Sequence, residues 1–145
     1  MMGNCPVITN QNNFLSMVFL IALLTGCSSE PRTYPTGGKV VFKEDGSPFM
    51  GRVYFEAVNP PHTRSMATTK ADGSFSLSTV REGSGSVEGE QVVRVDLDIP
   101  DSPDFKNRSK IVKIDYLDFI TSPIRVNVKP GNDNHFVIEI ERPAK

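Results

Sequence analysis

Beyond Gly38, apolar and polar residues alternate with a period of two, the spacing that sends successive side chains to opposite faces of a β-strand. In Val93-Arg94-Val95-Asp96-Leu97-Asp98-Ile99 the odd positions are apolar and the even ones polar, so Val93, Val95, Leu97 and Ile99 are predicted to face a core. Ile124-Arg125-Val126-Asn127-Val128-Lys129 repeats the pattern, and Phe136-Val137-Ile138-Glu139-Ile140-Glu141 puts Phe136, Ile138 and Ile140 inward and both glutamates toward solvent. Lys39-Val40-Val41-Phe42-Lys43 leads through an Asp45-Gly46 turn toward Arg52-Val53-Tyr54-Phe55-Glu56-Ala57. A second turn, Asp72-Gly73, joins Met66–Lys70 to Ser74–Ser78. Asp-Gly marks a tight turn because glycine takes positive φ without steric cost. Helical periodicity is nearly absent. Seven short strands with Gly and Pro in the turns predict an all-β, antiparallel sandwich over residues 38–143.

Two stretches break the pattern. Arg81 to Glu90 is rich in Gly, Ser and Glu and reads as a mobile loop. Pro100 to Pro123 is longer than loops without structure usually are. Within it, Ile111–Ile114 and Tyr116-Leu117 read as a short edge strand or as a strap over one end of the sandwich.

The front of the chain follows different rules. Residues 1–26 hold no Asp, Glu, Lys, Arg or His, and Phe14–Leu24 is apolar except for Ser16. Crossing a bilayer takes about 20 such residues and a signal-peptide core only about 7 to 15, so a signal peptide over residues 1–26 fits better. The only positive charge ahead of the apolar run is the terminal amine, where export signals usually carry Lys or Arg.

Directly behind that run stands Leu24-Thr25-Gly26-Cys27, which resembles the bacterial lipobox: an apolar residue, two small residues and the cysteine that receives diacylglycerol. The resemblance implies cleavage before Cys27 and lipidation there, through the thiolate. Residues 27–37 would then be a lipidated cysteine and tether, since Ser28 to Gly38 is small, polar and broken by Pro31, Pro35, Gly37 and Gly38. Extended, that segment reaches at most about 35 to 40 Å. Two or three acyl chains hold a protein firmly on its membrane, while one does so only marginally. Ser28 after the cysteine is compatible with the outer membrane or cell surface rather than the inner membrane.

The strand segments carry a further resemblance. Lys39-Val40-Val41-Phe42, Asp45-Gly46-Ser47-Pro48, Val53-Tyr54-Phe55 and Thr69–Leu77 look, in this order, like the carboxypeptidase regulatory-like domain. Ser122–Asn132 is similar to the closing segment of small bacterial lipoproteins that carry such a domain. What the resemblance implies is a transthyretin-like (prealbumin-like) seven-stranded antiparallel β-sandwich, usually an accessory or binding module without catalysis of its own.

Composition narrows the function classes. With 16 basic and 17 acidic residues and a formal net charge of −1, the chain lacks the basic excess that phosphate-backbone binding needs, so no nucleic-acid partner is expected. Its two cysteines cannot make a disulfide scaffold, and once Cys5 leaves with the signal none can pair. His62 and His135 are the only histidines and have no partner at zinc-ligand spacing, so both read as surface histidines. Asp96, Asp98, Asp101 and Asp104 form the densest acidic cluster. They are weak candidates for a hard cation such as Ca²⁺; a solvated face partly neutralised by Arg94, Lys106 or Arg108 is the preferred reading. Ser84 and Ser86 sit in a Gly-Ser loop without the strand–turn–helix setting of a nucleophile, and no cofactor is expected. Tyr34, Tyr54, Tyr116 and Phe119 are the aromatics expected to be partly exposed, where flat rings can serve sugar binding; core or rim packing is the preferred reading, because aromatic side chains mostly supply buried area.

The expectation is therefore a membrane-anchored envelope lipoprotein that presents a non-enzymatic binding or structural module. The alternatives are a carbohydrate- or peptide-binding surface module, with loop 100–123 as the capturing element, and an accessory subunit of an envelope enzyme.

Overall fold

A computed structural model describes residues 29–97, 105–132 and 134–145. The signal segment, Cys27, Asp98, Asp101 and Asp104 lie outside the described residues. Residues Pro31–Lys145 make one compact unit.

Its strands are β1 (Thr33–Tyr34), β2 (Thr36–Phe42), β3 (Arg52–Ala57), β4 (Arg64–Thr68), β5 (Ser74–Ser76), β6 (Ser86–Val87), β7 (Gly89–Asp96), β8 (Arg125–Val128) and β9 (Asn134–Ile140). They form a three-stranded sheet in the order β5-β2-β9, a four-stranded sheet in the order β4-β3-β7-β8, and a small β1-β6 pair. The alternation read from the sequence sets the faces: Val40, Phe42, Phe75, Ile138 and Ile140 from one sheet meet Val53, Phe55, Ala67, Val93 and Val95 from the other in one buried cluster. Phe55 spans the layers, its ring 5.9 Å from Phe75 and 6.3 Å from Phe136. Each fully buried large apolar side chain contributes about 1.5 to 3 kcal/mol, so this shared core is what holds the layers together. The protein is all-β in architecture.

Both Asp-Gly turns form for the reason the sequence suggests. Gly46 has φ +68° and Gly73 φ +79°. In each turn the aspartate Oδ1 accepts from the backbone N–H and hydroxyl of the serine after the glycine, at 3.0 and 2.7 Å for Asp45–Ser47 and 3.0 and 2.6 Å for Asp72–Ser74. Arg142 ties the chain end to the first turn: its guanidinium lies 4.0 Å over the Phe42 ring, 3.3 Å from Asp45 and 3.5 Å from Glu44.

Three expectations change, and for a fourth the structure decides between two alternatives. The sandwich is not wholly antiparallel, because β2 and β9 pair in parallel, from Thr36↔Asn134 to Phe42↔Ile140; alternation encodes faces but not the direction of a neighbouring strand. The stretch Ser28–Gly38 is not all tether. β1 begins at Thr33, and Gly37 and Gly38 belong to β2, where a Cβ on Gly38 would come within 1.8 Å of the Phe136 carbonyl oxygen. These glycines admit a close neighbouring backbone rather than flexibility. Arg81–Glu90 contains β6 and the start of β7, and is pinned by hydroxyls described below. Finally, the described part of loop 100–123 holds no strand. It carries a short helix, α1 (Phe105–Arg108), and a 3-10 turn (Ile114–Leu117). Val112 and Tyr116 sink into the core and Lys113 N–H bonds the Glu141 carbonyl at 3.0 Å, so this segment is a strap.

Candidate binding groove

The connection between the two sheets opens a sizeable groove. β4 and β5 are the arms of one hairpin whose tips belong to different sheets. Backbone parity shows how it opens. Thr69 N–H bonds Gly51 and Ala57 N–H bonds Thr63, so odd residues of β4 face β3, and Arg64, Met66 and Thr68 point their backbone groups away from it. On the other arm Leu77 N–H bonds Thr36 and Val40 N–H bonds Gly73, so Ser74 and Ser76 point away from β2.

The outward groups meet at both ends of the hairpin but not in its middle. Met66 and Ser78 exchange two hydrogen bonds of 2.9 Å, and Lys70 N–H reaches the Ser74 carbonyl at 2.8 Å. Between them, Thr68 and Ser76 exchange none. Thr69 draws the first arm inward, its hydroxyl bonding the Phe49 carbonyl at 2.8 Å and accepting from Gly51 N–H at 2.9 Å. The opening beside this gap has a volume of about 740 Å³ and is lined by Met66, Thr68, Lys70, Ser76, Ser78 and Thr79, with Val80, Arg81 and Glu82 at its rim. Hydroxyls, unpaired backbone donors and acceptors, and two cationic side chains stand beside the apolar surface of Met66, Ala67, Phe75 and Val80, so the recess is mixed in character. It suits a ligand with both hydrogen-bonding groups and apolar surface.

One wall is held by a buried hydroxyl cluster. Ser65 Oγ lies 2.9 Å from Thr79 Oγ1 and donates to Ser86 Oγ at 2.8 Å; Thr79 Oγ1 donates to the Gly85 carbonyl at 2.6 Å, and Ser84 Oγ accepts from Thr79 N–H at 3.0 Å. Ser84 and Ser86 are thus occupied in ordering residues 79–86. Sequence reading missed this groove, because the missing pair at Thr68 and Ser76 follows from two strands joining separate sheets. Only the turn that starts the hairpin was legible.

The residues singled out from the sequence do not gather here. Asp96 lies on the outer face of the four-stranded sheet, 3.6 Å from Arg94 and 3.3 Å from Arg108, so its charge is met by guanidinium groups. Among the described residues no group of three or more His, Cys, Asp or Glu side chains is placed to hold a metal ion. Beside Asp96, Arg94 packs 4.1 Å over the Tyr54 ring and 5.2 Å from the Phe119 ring, and Arg64 stands 5.3 Å from Phe119 while pairing with Glu56. This ladder of rings and cations packs Phe119 of the strap onto the sheet. Tyr34, Tyr54 and Phe119 are half-buried and Tyr116 is buried, more deeply than the expected partial exposure and as core packing requires. His62 and His135 are exposed, and His62 Nδ1 sits 3.1 Å from the Ala57 carbonyl.

The resolved titration shifts follow local bonding and burial. The hydroxyl and N–H of Ser47 hold Asp45 down at about 2, and Ser74 lowers Asp72 in the same way. Arg142 N–H lowers Glu44 and the Asp115 carboxylate raises Lys113. Burial raises Tyr116. Among the described residues no helix is long and apolar enough to cross a membrane. No family model, curated protein or solved structure matches the chain.

Proposed function

We propose that this chain is a lipid-anchored envelope protein that carries a non-catalytic, transthyretin-like β-sandwich as a binding or structural module. The observation that carries the proposal is the order of segments: an uncharged, apolar run too short to span a bilayer, then Leu24-Thr25-Gly26-Cys27, then a folded all-β body. The finer fold is supported by the division of the seven longer strands into sheets of three and four, with Asp-Gly turns where the regulatory-like domain has them. The non-catalytic reading is supported by the work of the described charged groups: Asp45, Glu44 and Arg142 close a turn, and Asp96, Arg94 and Arg108 dock the strap.

Replacing Cys27 by Ser tests the anchor. The variant should leave the membrane fraction and lose labelling by radioactive palmitate, because without acyl chains the folded body has no hydrophobic anchor. Unchanged membrane retention would refute the proposal.

A second reading is favoured by one observation, the groove between Thr68 and Ser76, where unpaired backbone groups and hydroxyls stand beside apolar side chains. In that reading the module captures a carbohydrate or extended peptide there, rather than with loop 100–123. Retention on a glycan array or a peptide array that disappears in Ser76→Trp would support it, and the absence of binders on both would remove it.

A further inference from the structure

The last strand leaves the outward backbone of His135, Val137 and Glu139 without a neighbour, up to Glu141, whose carbonyl the strap takes through Lys113 N–H at 3.0 Å. Lys43 N–H bonds the Ile140 carbonyl at 2.9 Å, and in the parallel β2–β9 ladder this places the backbone groups of Asn134, Phe136, Ile138 and Ile140 toward β2. His135, Val137 and Glu139 therefore present both N–H and C=O to the open side. They bond to no described residue there, and β9 is terminal in its sheet. Natural edge strands are usually blunted by proline, lysine, a bulge or short length. β9 runs for 7 residues without proline or lysine, and Val137 is 63% exposed. β8, the corresponding edge of the other sheet, has only 4 residues and is bracketed by Pro123 and Pro130.

We propose that β9 is a self-association edge and that its occupant is β9 of a second copy, paired antiparallel about a two-fold axis through Val137. The sequence of the strand argues for this partner. An axis at Val137 sets Val137 against Val137 and His135 against Glu139 of the other copy, twice by symmetry. All three are hydrogen-bonded pairs, because all three positions carry outward backbone groups. The pairing supplies about six backbone hydrogen bonds. It matches imidazole to carboxylate at each end and buries a β-branched pair in the middle. On the inner face it brings Ile138 of one copy beside Phe136 of the other, and Phe136 is the one β9 core residue left half-exposed. Two three-stranded sheets become one of six strands. Shifting the register by one residue would oppose outward groups to inward ones, and shifting it by two would break the Val137–Val137 match by setting Val137 against His135 or Glu139.

The test uses the full-length chain with Cys5→Ser and Cys27→Ser, purified in detergent, so that one introduced thiol is the only one and the outcome does not depend on lipidation. In Val137→Cys the two thiols face each other across a hydrogen-bonded pair with Cα atoms about 5.5 Å apart, within disulfide reach. Copper–phenanthroline oxidation should give a disulfide dimer, whereas Ile120→Cys, at a loop position 91% exposed, should stay monomeric. Val137 and Ile120 lie outside the core, so both substitutions keep the fold. Glu139→Lys removes the imidazole–carboxylate match at both ends and should lower the dimer yield about tenfold. Adding His135→Glu to it swaps the charges and should restore the yield. An absence of dimer from Val137→Cys, equal dimer from Ile120→Cys, or a Glu139→Lys effect that the swap does not reverse would each overturn the proposal. Sedimentation of the variant without introduced cysteine, against the same chain with Glu139→Lys, gives a second reading: a mass that rises with concentration only in the former supports self-pairing, and identical behaviour refutes it.

Discussion

Replacing Gly73 by Ala separates two effects that glycine turns usually confound. The φ of +79° costs an alanine about 1 to 2 kcal/mol in itself. A Cβ there would also stand 2.5 Å from the Val40 carbonyl oxygen and 3.1 Å from Pro48 Cβ. That carbonyl already accepts from Phe49 N–H at 3.0 Å, and the Gly73 carbonyl accepts from Val40 N–H at 2.9 Å. Relieving the overlap moves β2 against the turn and weakens both bonds, each contributing about 0.5 to 1.5 kcal/mol. The total for Gly73→Ala is about 2 to 4 kcal/mol. Gly46 is the internal control, for its φ is +68° but nothing lies within 4 Å of its Cβ position. Gly46→Ala should cost only the conformational part, about 1 to 2 kcal/mol. Urea denaturation of residues 28–145, followed by circular dichroism, reads the difference. With a slope of about 1 to 3 kcal/mol per molar, the Gly73 variant should unfold at a distinctly lower urea concentration than the Gly46 variant. Equal midpoints for the two would refute the contact argument, and a Gly73 variant as stable as the parent would refute the turn geometry itself.

Two further outcomes follow from the structure. Asp45 is held at about 2 against an ordinary 3.8, and Asp72 is shifted in the same direction. Their stabilisation is therefore complete above the ordinary value and is lost as pH falls from 3.8 toward about 2. Asp45→Asn with Asp72→Asn should flatten the fall of stability with acid over that window, and an unchanged slope in urea midpoints against pH would count against the turn bonds. Val112 is fully buried where the strap meets the core, so Val112→Ala should cost about 1 to 3 kcal/mol and speed proteolytic cleavage within residues 105–123. A stable, protease-resistant variant would mean that the strap is held by its arginine–aromatic ladder alone.

What the sequence determined by itself is local. Period-two alternation gave the buried faces, because every second side chain of a strand shares a face whatever the sheet looks like: Val53, Phe55, Val93, Val95, Ile138 and Ile140 are all buried as the alternation requires. Asp45-Gly46 and Asp72-Gly73 gave their turns because the bonds that close them lie within three residues. Tertiary structure decided everything that depends on which strands become neighbours. Gly37 and Gly38 look like tether residues until β9 is laid beside them. Tyr116 looks partly exposed until the strap folds inward. The opened pair at Thr68 and Ser76 and the bare edge of His135, Val137 and Glu139 are likewise properties of pairing. Pairing joins residues about as far apart as Thr36 and Asn134, a separation over which no local pattern carries information on direction or partner.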